Sequence, residues 1–111
     1  MKLYLSGPMS GLPEFNRPAF HAMAARLRGM GHTVINPAEM DGEQTDGWAW
    51  EDYMARDIQV IMQTDGLDAV ALLPGWERSR GAQLESHAAA LRRLPLLDAE
   101  TLDEILLDWC L

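Results

Sequence analysis

The sequence predicts a doubly wound α/β domain, with a four-stranded parallel sheet between helices on both faces in a three-layer α/β/α arrangement. Two observations carry this. Short apolar runs alternate with stretches of helical period in the order β-α-β-α-β-α-β-α, and such alternation gives parallel strands joined by right-handed crossovers. Residues 67–73, Leu-Asp-Ala-Val-Ala-Leu-Leu, are almost wholly apolar and are stopped by Pro74-Gly75, the pattern of a strand covered on both faces. With 111 residues, no linker, no internal repeat and no low-complexity run, the chain reads as one domain over residues 1–111.

Taken in order, Lys2–Ser6 is the first strand, closed by Gly7-Pro8 and a loop through Pro13 whose Gly and Pro content forbids either regular structure. Asn16 is placed to cap the next helix, Pro18 is tolerated in its first turn, and Phe20, Met23, Ala24 and Leu27 recur at helical spacing until Gly29 and Gly31 end it. Residues 32–36 give the second strand, stopped by Pro37. Residues 38–47 carry Asp, Glu, Gly and Thr without periodicity and read as a loop lying over the surface or over a pocket. From about Trp48 the helical period returns, with Trp50, Tyr53, Met54, Ile58, Ile61 and Met62 on one face. After the strand at 67–73, a helix over 79–91 carries Leu84, Ala88 and Leu91 as its stripe. Residues 94–97 form the fourth strand, and Asp98 or Thr101 can cap a last helix with Leu102, Ile105, Leu106 and Trp109 as its apolar stripe.

Apolar residues make up 48% of the chain and charged residues 23%, an ordinary globular balance that argues against disorder. The formal net charge of -8 argues against a nucleic-acid polymer as partner, since that affinity comes from clustered Lys and Arg. No apolar run approaches a membrane span and the N-terminal residues do not form a signal peptide, so a cytoplasmic protein with no membrane partner is expected. Cys110 allows no internal disulfide, and His21, His32 and His87 show no ligand spacing; neither a metal nor a cofactor is implied.

Chemistry concentrates at the junction after the third strand. Ser79 can cap the following helix, while Gly81 and Ala82 leave backbone N–H groups open to a ligand, an arrangement that favours anions. Glu85 lies about one turn into that helix, and because Cα–Cβ bonds tilt toward a helix N-terminus its carboxylate can lean back over the loop. Asp57 interrupts an apolar face, three residues after Met54 and four before Ile61, so a second carboxylate points at or beside the core. An Asp paired with Arg56 or Arg17 is the plainer explanation of it. Asp65 and Asp68 are rivals, but Asp68 begins a strand at the amino end of the sheet and Asp65 sits at a helix end, so Asp57 is preferred.

Together, Tyr4-Leu-Ser-Gly-Pro-Met9, Asp57 and Gly75-Trp-Glu-Arg-Ser79-Arg-Gly-Ala-Gln-Leu-Glu85 resemble the nucleoside 2-deoxyribosyltransferase-like superfamily. Within it the likeness is greatest to a small branch of unknown function, DUF4406-like, found in phage and bacterial genomes. The resemblance runs from Lys2 to about Pro95. It implies a reduced flavodoxin-like sheet of order 2-1-3-4, with ligands at the switch point between the first and third strands. It further implies that Glu85 is a nucleophile attacking the anomeric carbon, that Asp57 is an acid serving the leaving base, and that the Tyr4 hydroxyl positions Glu85. A solvated helix-surface Glu and a core Tyr are the plainer alternatives.

Around these, Ser6, Gly7 and Ser10 can donate hydrogen bonds to a sugar or phosphate, or simply shape a turn. Ser79 matches a residue that contacts the 5′ end of the ligand, and Arg80 and Arg17 can meet a phosphate. Trp76 stacks on a base or plugs its loop onto the core; Trp48 and Trp50 form a lid or only pack. The expected activity is cleavage or transfer at the N-glycosidic bond of a small-molecule nucleoside or nucleotide through a covalent sugar–Glu85 intermediate. The alternative is a non-catalytic nucleotide-binding or sensing module. The resemblance also implies a homo-oligomer, a dimer or multiple of dimers, for which the stripe from Leu102 to Trp109 with Met54 and Tyr53 offers a surface.

Overall fold

The computed structural model describes residues 1–106. Its sheet is built from β1 (Lys2–Ser6), β2 (Thr33–Ile35), β3 (Ala69–Leu72), β4 (Leu96–Asp98) and β5 (Glu104–Ile105), in spatial order β2-β1-β3-β4-β5. The first four strands pair in parallel, with Tyr4 opposite Ile35 on one side and Val70 on the other. Connecting them are α1 (Arg17–Gly29), α2 (Trp50–Gln63) and α3 (Arg80–Leu91).

Successive side chains of a strand point to opposite faces, and β1 shows the division. Leu3 and Leu5 join Phe20, Ala24 and Leu27 of α1, whereas Tyr4 joins Ile61 of α2 and Ala88 and Ala89 of α3. The helices therefore form two outer layers. β3 is buried at every position, which explains why it reads as an unbroken apolar run.

Helix ends follow local chemistry. Ser79 Oγ accepts from the Ala82 N–H at 3.2 Å, as an N-cap should. At α2 the Asp52 carboxylate reaches back to the Ala49 N–H at 2.8 Å, and with Glu51 it places negative charge in the first turn. α1 departs from expectation. Asn16 makes no side-chain cap and sits in the left-handed region at φ 60, as do Glu14 and Phe15; its amide instead donates to the Pro8 carbonyl at 2.9 Å, tying the loop after β1 to the helix start.

Three further expectations are corrected. The sheet is five-stranded and mixed rather than four-stranded and all-parallel, because residues 99–106 return as a hairpin and not as a helix. Asp98 Oδ1 accepts from the Glu100 N–H at 2.8 Å and Thr101 Oγ1 from the Asp103 N–H at 3.1 Å, so both supposed helix caps close tight turns instead. β5 then runs antiparallel to β4, with Ile105 opposite Leu96. Leu102 and Ile105 pack against opposite faces of the sheet. Trp109 of the expected stripe, and Cys110, lie outside the described residues.

The second correction concerns α3, whose buried face is Ala82, Glu85, Ser86, Ala88 and Ala89, leaving Leu84 and Leu91 exposed. Small side chains let this helix lie close to its neighbours: a Cβ at Gly81 would stand 3.1 Å from Met54 Sδ of α2. The third is Met62, which is exposed rather than part of the buried face of α2.

Candidate functional site

β1 has β2 on one side and β3 on the other, and the chain leaves β1 and β3 in opposite directions around the sheet. The crevice beyond their carboxyl ends is where such sheets hold ligands. A cavity of about 910 Å³ opens there. The loop after β1 supplies Gly7 and Ser10 to its wall, the α1 start Arg17, the residues 37–47 loop Asp41, and α2 Trp50, Tyr53, Arg56 and Asp57. The loop after β3 and α3 add Gly75, Arg78, Ser79, Arg80, Gly81 and Glu85.

Two glycines permit this geometry. A Cβ at Gly7 would lie 2.7 Å from Leu73 Cβ, so the two loops meet at a distance that excludes any side chain. Gly75 turns the chain at φ 88, where other residues are strained.

At the floor, Glu85 and Asp57 are 6% and 5% exposed. Ser6 Oγ donates to Glu85 Oε1 at 2.6 Å. Burial first, and then the negative charge of Asp57, hold the Glu85 carboxyl well above its ordinary 4.5, against the opposing effect of the Ser6 hydrogen bond. Burial also raises Asp57 above its ordinary 3.8, but the adjacent Arg56 guanidinium opposes it. Arg56 Nε donates to Asp57 Oδ1 at 3.0 Å, and Nη1 to Asp41 Oδ1 at 3.0 Å. Asp41 in turn bridges to Arg17 at 3.2 Å. An alternating row of charges thus runs from the cavity mouth to the carboxyl pair.

The sequence-derived residues sort as follows. Glu85, Asp57, Gly7, Ser10, Arg17, Ser79, Arg80 and Gly81 all line the cavity. Ser6 does not; fully buried, it makes the hydrogen bond to Glu85 that was expected of Tyr4. Tyr4 is fully buried on the same face, and burial, followed by the charges of Glu85 and Asp57, pushes its hydroxyl well above the ordinary 10.0; Oη lies within the influence of the Asp57 carboxyl but makes no hydrogen bond of ordinary geometry.

Trp76 is not among the residues of the cavity wall and packs against the cluster around Tyr4 and Val70, the arrangement expected of a plug. Trp48 and Trp50 are the tryptophans on the cavity wall, with the Arg80 guanidinium 4.0 Å from the Trp50 ring centroid. At the amino end of β1, Lys2 N–H donates to Asp68 Oδ2 and Lys2 Nζ to the Asp65 carbonyl, and neither Asp lines the cavity.

Sequence reasoning missed Asp41, Tyr53 and Arg78 and gave Arg56 only a pairing role. Arg56 could have been found from its place beside Asp57. Asp41 could not, because its loop has no period from which to infer what it faces. Among the described residues, no group of three His, Cys, Asp or Glu is arranged to hold a metal ion. None of their helices is long and apolar enough to cross a membrane.

These features define an α/β domain that opens a cavity at the carboxyl edge of its sheet and keeps two carboxyl groups buried beneath it. The chain belongs to the DUF4406 family, a domain of unknown function whose model matches residues 1–98. Every cavity-lining residue falls within that stretch. No curated protein matches the sequence.

Proposed function

We propose that the protein cleaves or transfers at the N-glycosidic bond of a nucleoside or nucleotide, with Glu85 as nucleophile and Asp57 as the acid that serves the leaving base. The observation that carries this reading is the buried pair of carboxyls on the cavity floor. Ionised, Glu85 attacks the anomeric carbon and holds the sugar as an ester; protonated, Asp57 relieves the charge developing on the base. Ser6, rather than Tyr4, orients the nucleophile. The first four strands of the sheet, with β1 and β3 adjacent beneath the cavity, support a flavodoxin-like reading of the fold.

The ligand class follows from charge. In a chain of net charge -8, four of the nine Lys and Arg residues, Arg17, Arg56, Arg78 and Arg80, line this one cavity. Such a concentration favours a nucleoside monophosphate over the free nucleoside. A cytoplasmic homodimer belongs to the same proposal. Its expected surface is reduced, however: Met54 is buried, Tyr53 stacks edge-on against Trp48, and Leu102 and Ile105 pack within the chain.

One observation favours a second reading. Burial and the charge of Asp57 favour the protonated form of Glu85, and a protonated Glu85 binds a ribose hydroxyl without reacting, as a nucleotide-sensing module would require. Glu85→Gln separates the two. On the enzymatic reading it abolishes release of free base from nucleoside monophosphates while leaving ligand affinity within about tenfold, since the amide retains hydrogen bonding but forms no ester. A native protein that binds nucleotides and never releases base is a sensing module.

A further inference from the structure

Arg56 is held from every side. Its Nε donates to Asp57 Oδ1 at 3.0 Å, its Nη1 donates to Asp41 Oδ1 at 3.0 Å and to the Met40 carbonyl at 3.3 Å, and its guanidinium lies 5.6 Å and 5.5 Å from the ring centroids of Trp48 and Tyr53. So many contacts on a side chain 18% exposed fix a cation beside one carboxyl of the buried pair. The hydrogen-bond partner of the other carboxyl, Glu85, is the neutral hydroxyl of Ser6. The surroundings of the pair are therefore asymmetric. The groups facing it are Tyr4 and Ser6 from β1, Asp41 from the residues 37–47 loop, and Arg56 from α2; Tyr4 stays neutral because burial pushes its hydroxyl up.

Glu85 and Asp57 are both buried at the floor of one cavity, and the charge of Asp57 raises the Glu85 carboxyl; two such carboxyls do not both ionise readily, which favours one proton shared by the pair. We propose that Arg56 is a positioning residue that assigns this shared proton to Glu85 and the negative charge to Asp57, with Asp41 partly neutralising Arg56 and so limiting how strongly it does so. The consequence for chemistry rests on the glycosidic reading. From this resting state one internal transfer, from Glu85 to Asp57, yields the ionised nucleophile and the protonated acid together, with no proton taken from solvent. Glu85 then forms its bond to the anomeric carbon as the carbon–nitrogen bond breaks. The electron pair of that bond goes to the base, and the proton passes from Asp57 to a base nitrogen. Because Arg56 opposes protonation of Asp57, it also makes Asp57 the stronger donor at that moment.

The test is a carbon-13 NMR titration of the Glu85 and Asp57 carboxyls in the native protein, Arg56→Met, Arg56→Lys and Asp41→Asn, each checked for native dispersion. In the native protein near neutral pH, Glu85 should give a protonated shift and Asp57 an ionised one. Arg56→Met should raise both apparent values, by about one pH unit or more, and move the proton toward Asp57. Arg56→Lys, which keeps the charge, should restore the native assignment. Asp41→Asn should shift both values downward, a sign that simple loosening of the structure would not produce, and it keeps the proposal testable if Arg56→Met does not fold. An Asp57 that already holds the proton in the native protein overturns the proposal, as does an unchanged assignment in Arg56→Met.

The rate of base release should follow. Its acidic limb marks loss of the ionised nucleophile and its alkaline limb loss of the last proton, so both limbs move to higher pH in Arg56→Met. If the titrations behave as described while the native protein releases no base at any pH, the proton assignment stands and the glycosidic reading fails.

Discussion

The two faces of the sheet are built from the same strands and serve different ends. On the α1 side, Leu3 and Leu5 meet Phe20, Ala24 and Leu27 in a contiguous apolar layer. On the α2 and α3 side, the same strand presents Tyr4 and Ser6, and the helices bury Asp57, Glu85 and Ser86. Apolar packing persists there through Ile61, Val70, Leu72 and Leu96, but polar groups lie beside it, and two of them, Tyr4 Oη and Ser86 Oγ, have no hydrogen-bond partner. One face holds the fold together; the other tolerates unfavourable burial where the cavity opens. An unpaired buried hydroxyl typically costs about 1–3 kcal/mol, a cost that the α1 face does not carry among the described residues.

The sharpest way to break this comparison is to empty the apolar face. Phe20→Ala removes a side chain 1% exposed and should cost about 3–5 kcal/mol in denaturant unfolding, alike across pH 5 to 8 because no ionisable group is touched. A loss under about 1 kcal/mol would show that α1 does not anchor the fold.

On the opposite face the sign should reverse. The folded state holds the Glu85 carboxyl above its unfolded value, so its contribution to stability is complete below about pH 4.5 and is lost as pH rises toward the folded value. Each tenfold change in that ionisation constant is worth about 1.4 kcal/mol. Glu85→Gln, neutral at all pH, should therefore be more stable than the native protein at pH 7, with the difference shrinking toward pH 4. Unfolding curves at the two pH values measure it, and a mutant less stable at pH 7 would contradict the burial described for Glu85.

The smallest effect belongs to the boundary between the faces. Ser79→Ala removes the α3 cap and should cost about 1 kcal/mol of stability. If the same residue meets a phosphate, calorimetry should also show the preference for monophosphate over nucleoside falling by about fivefold or more. An unaltered preference would leave Ser79 as a cap alone.

What could be read from the sequence divides along the same line. The strands and three helices were legible because period and Gly-Pro punctuation are local properties. Asp57 was legible as an interruption of an apolar stripe, and Glu85 as a carboxylate after a small-residue junction. The buried face of α3 was misjudged because Leu84 and Leu91 carry more hydrophobicity than the alanines that in fact face the sheet. The β5 hairpin was misjudged because Leu102, Ile105 and Leu106 fit a helical spacing as well as a strand return. Strand alternation puts position 6 on the face of Tyr4, so the bond from Ser6 to Glu85 was within reach of the sequence. The bridges from Asp41 to Arg17 and Arg56 were not, since they depend on how a loop without period folds over a helix.

The hairpin has one more consequence. A parallel sheet that ended at β4 would offer a row of unpaired backbone groups to any extended polypeptide nearby. β5 occupies that row at Leu96 and Leu97, is only two residues long, and sets the charge of Glu104 at the margin. The family match ends at Asp98, at the last residue of β4. Closure of the sheet against strand addition on that side is therefore supplied by residues that follow the matched stretch.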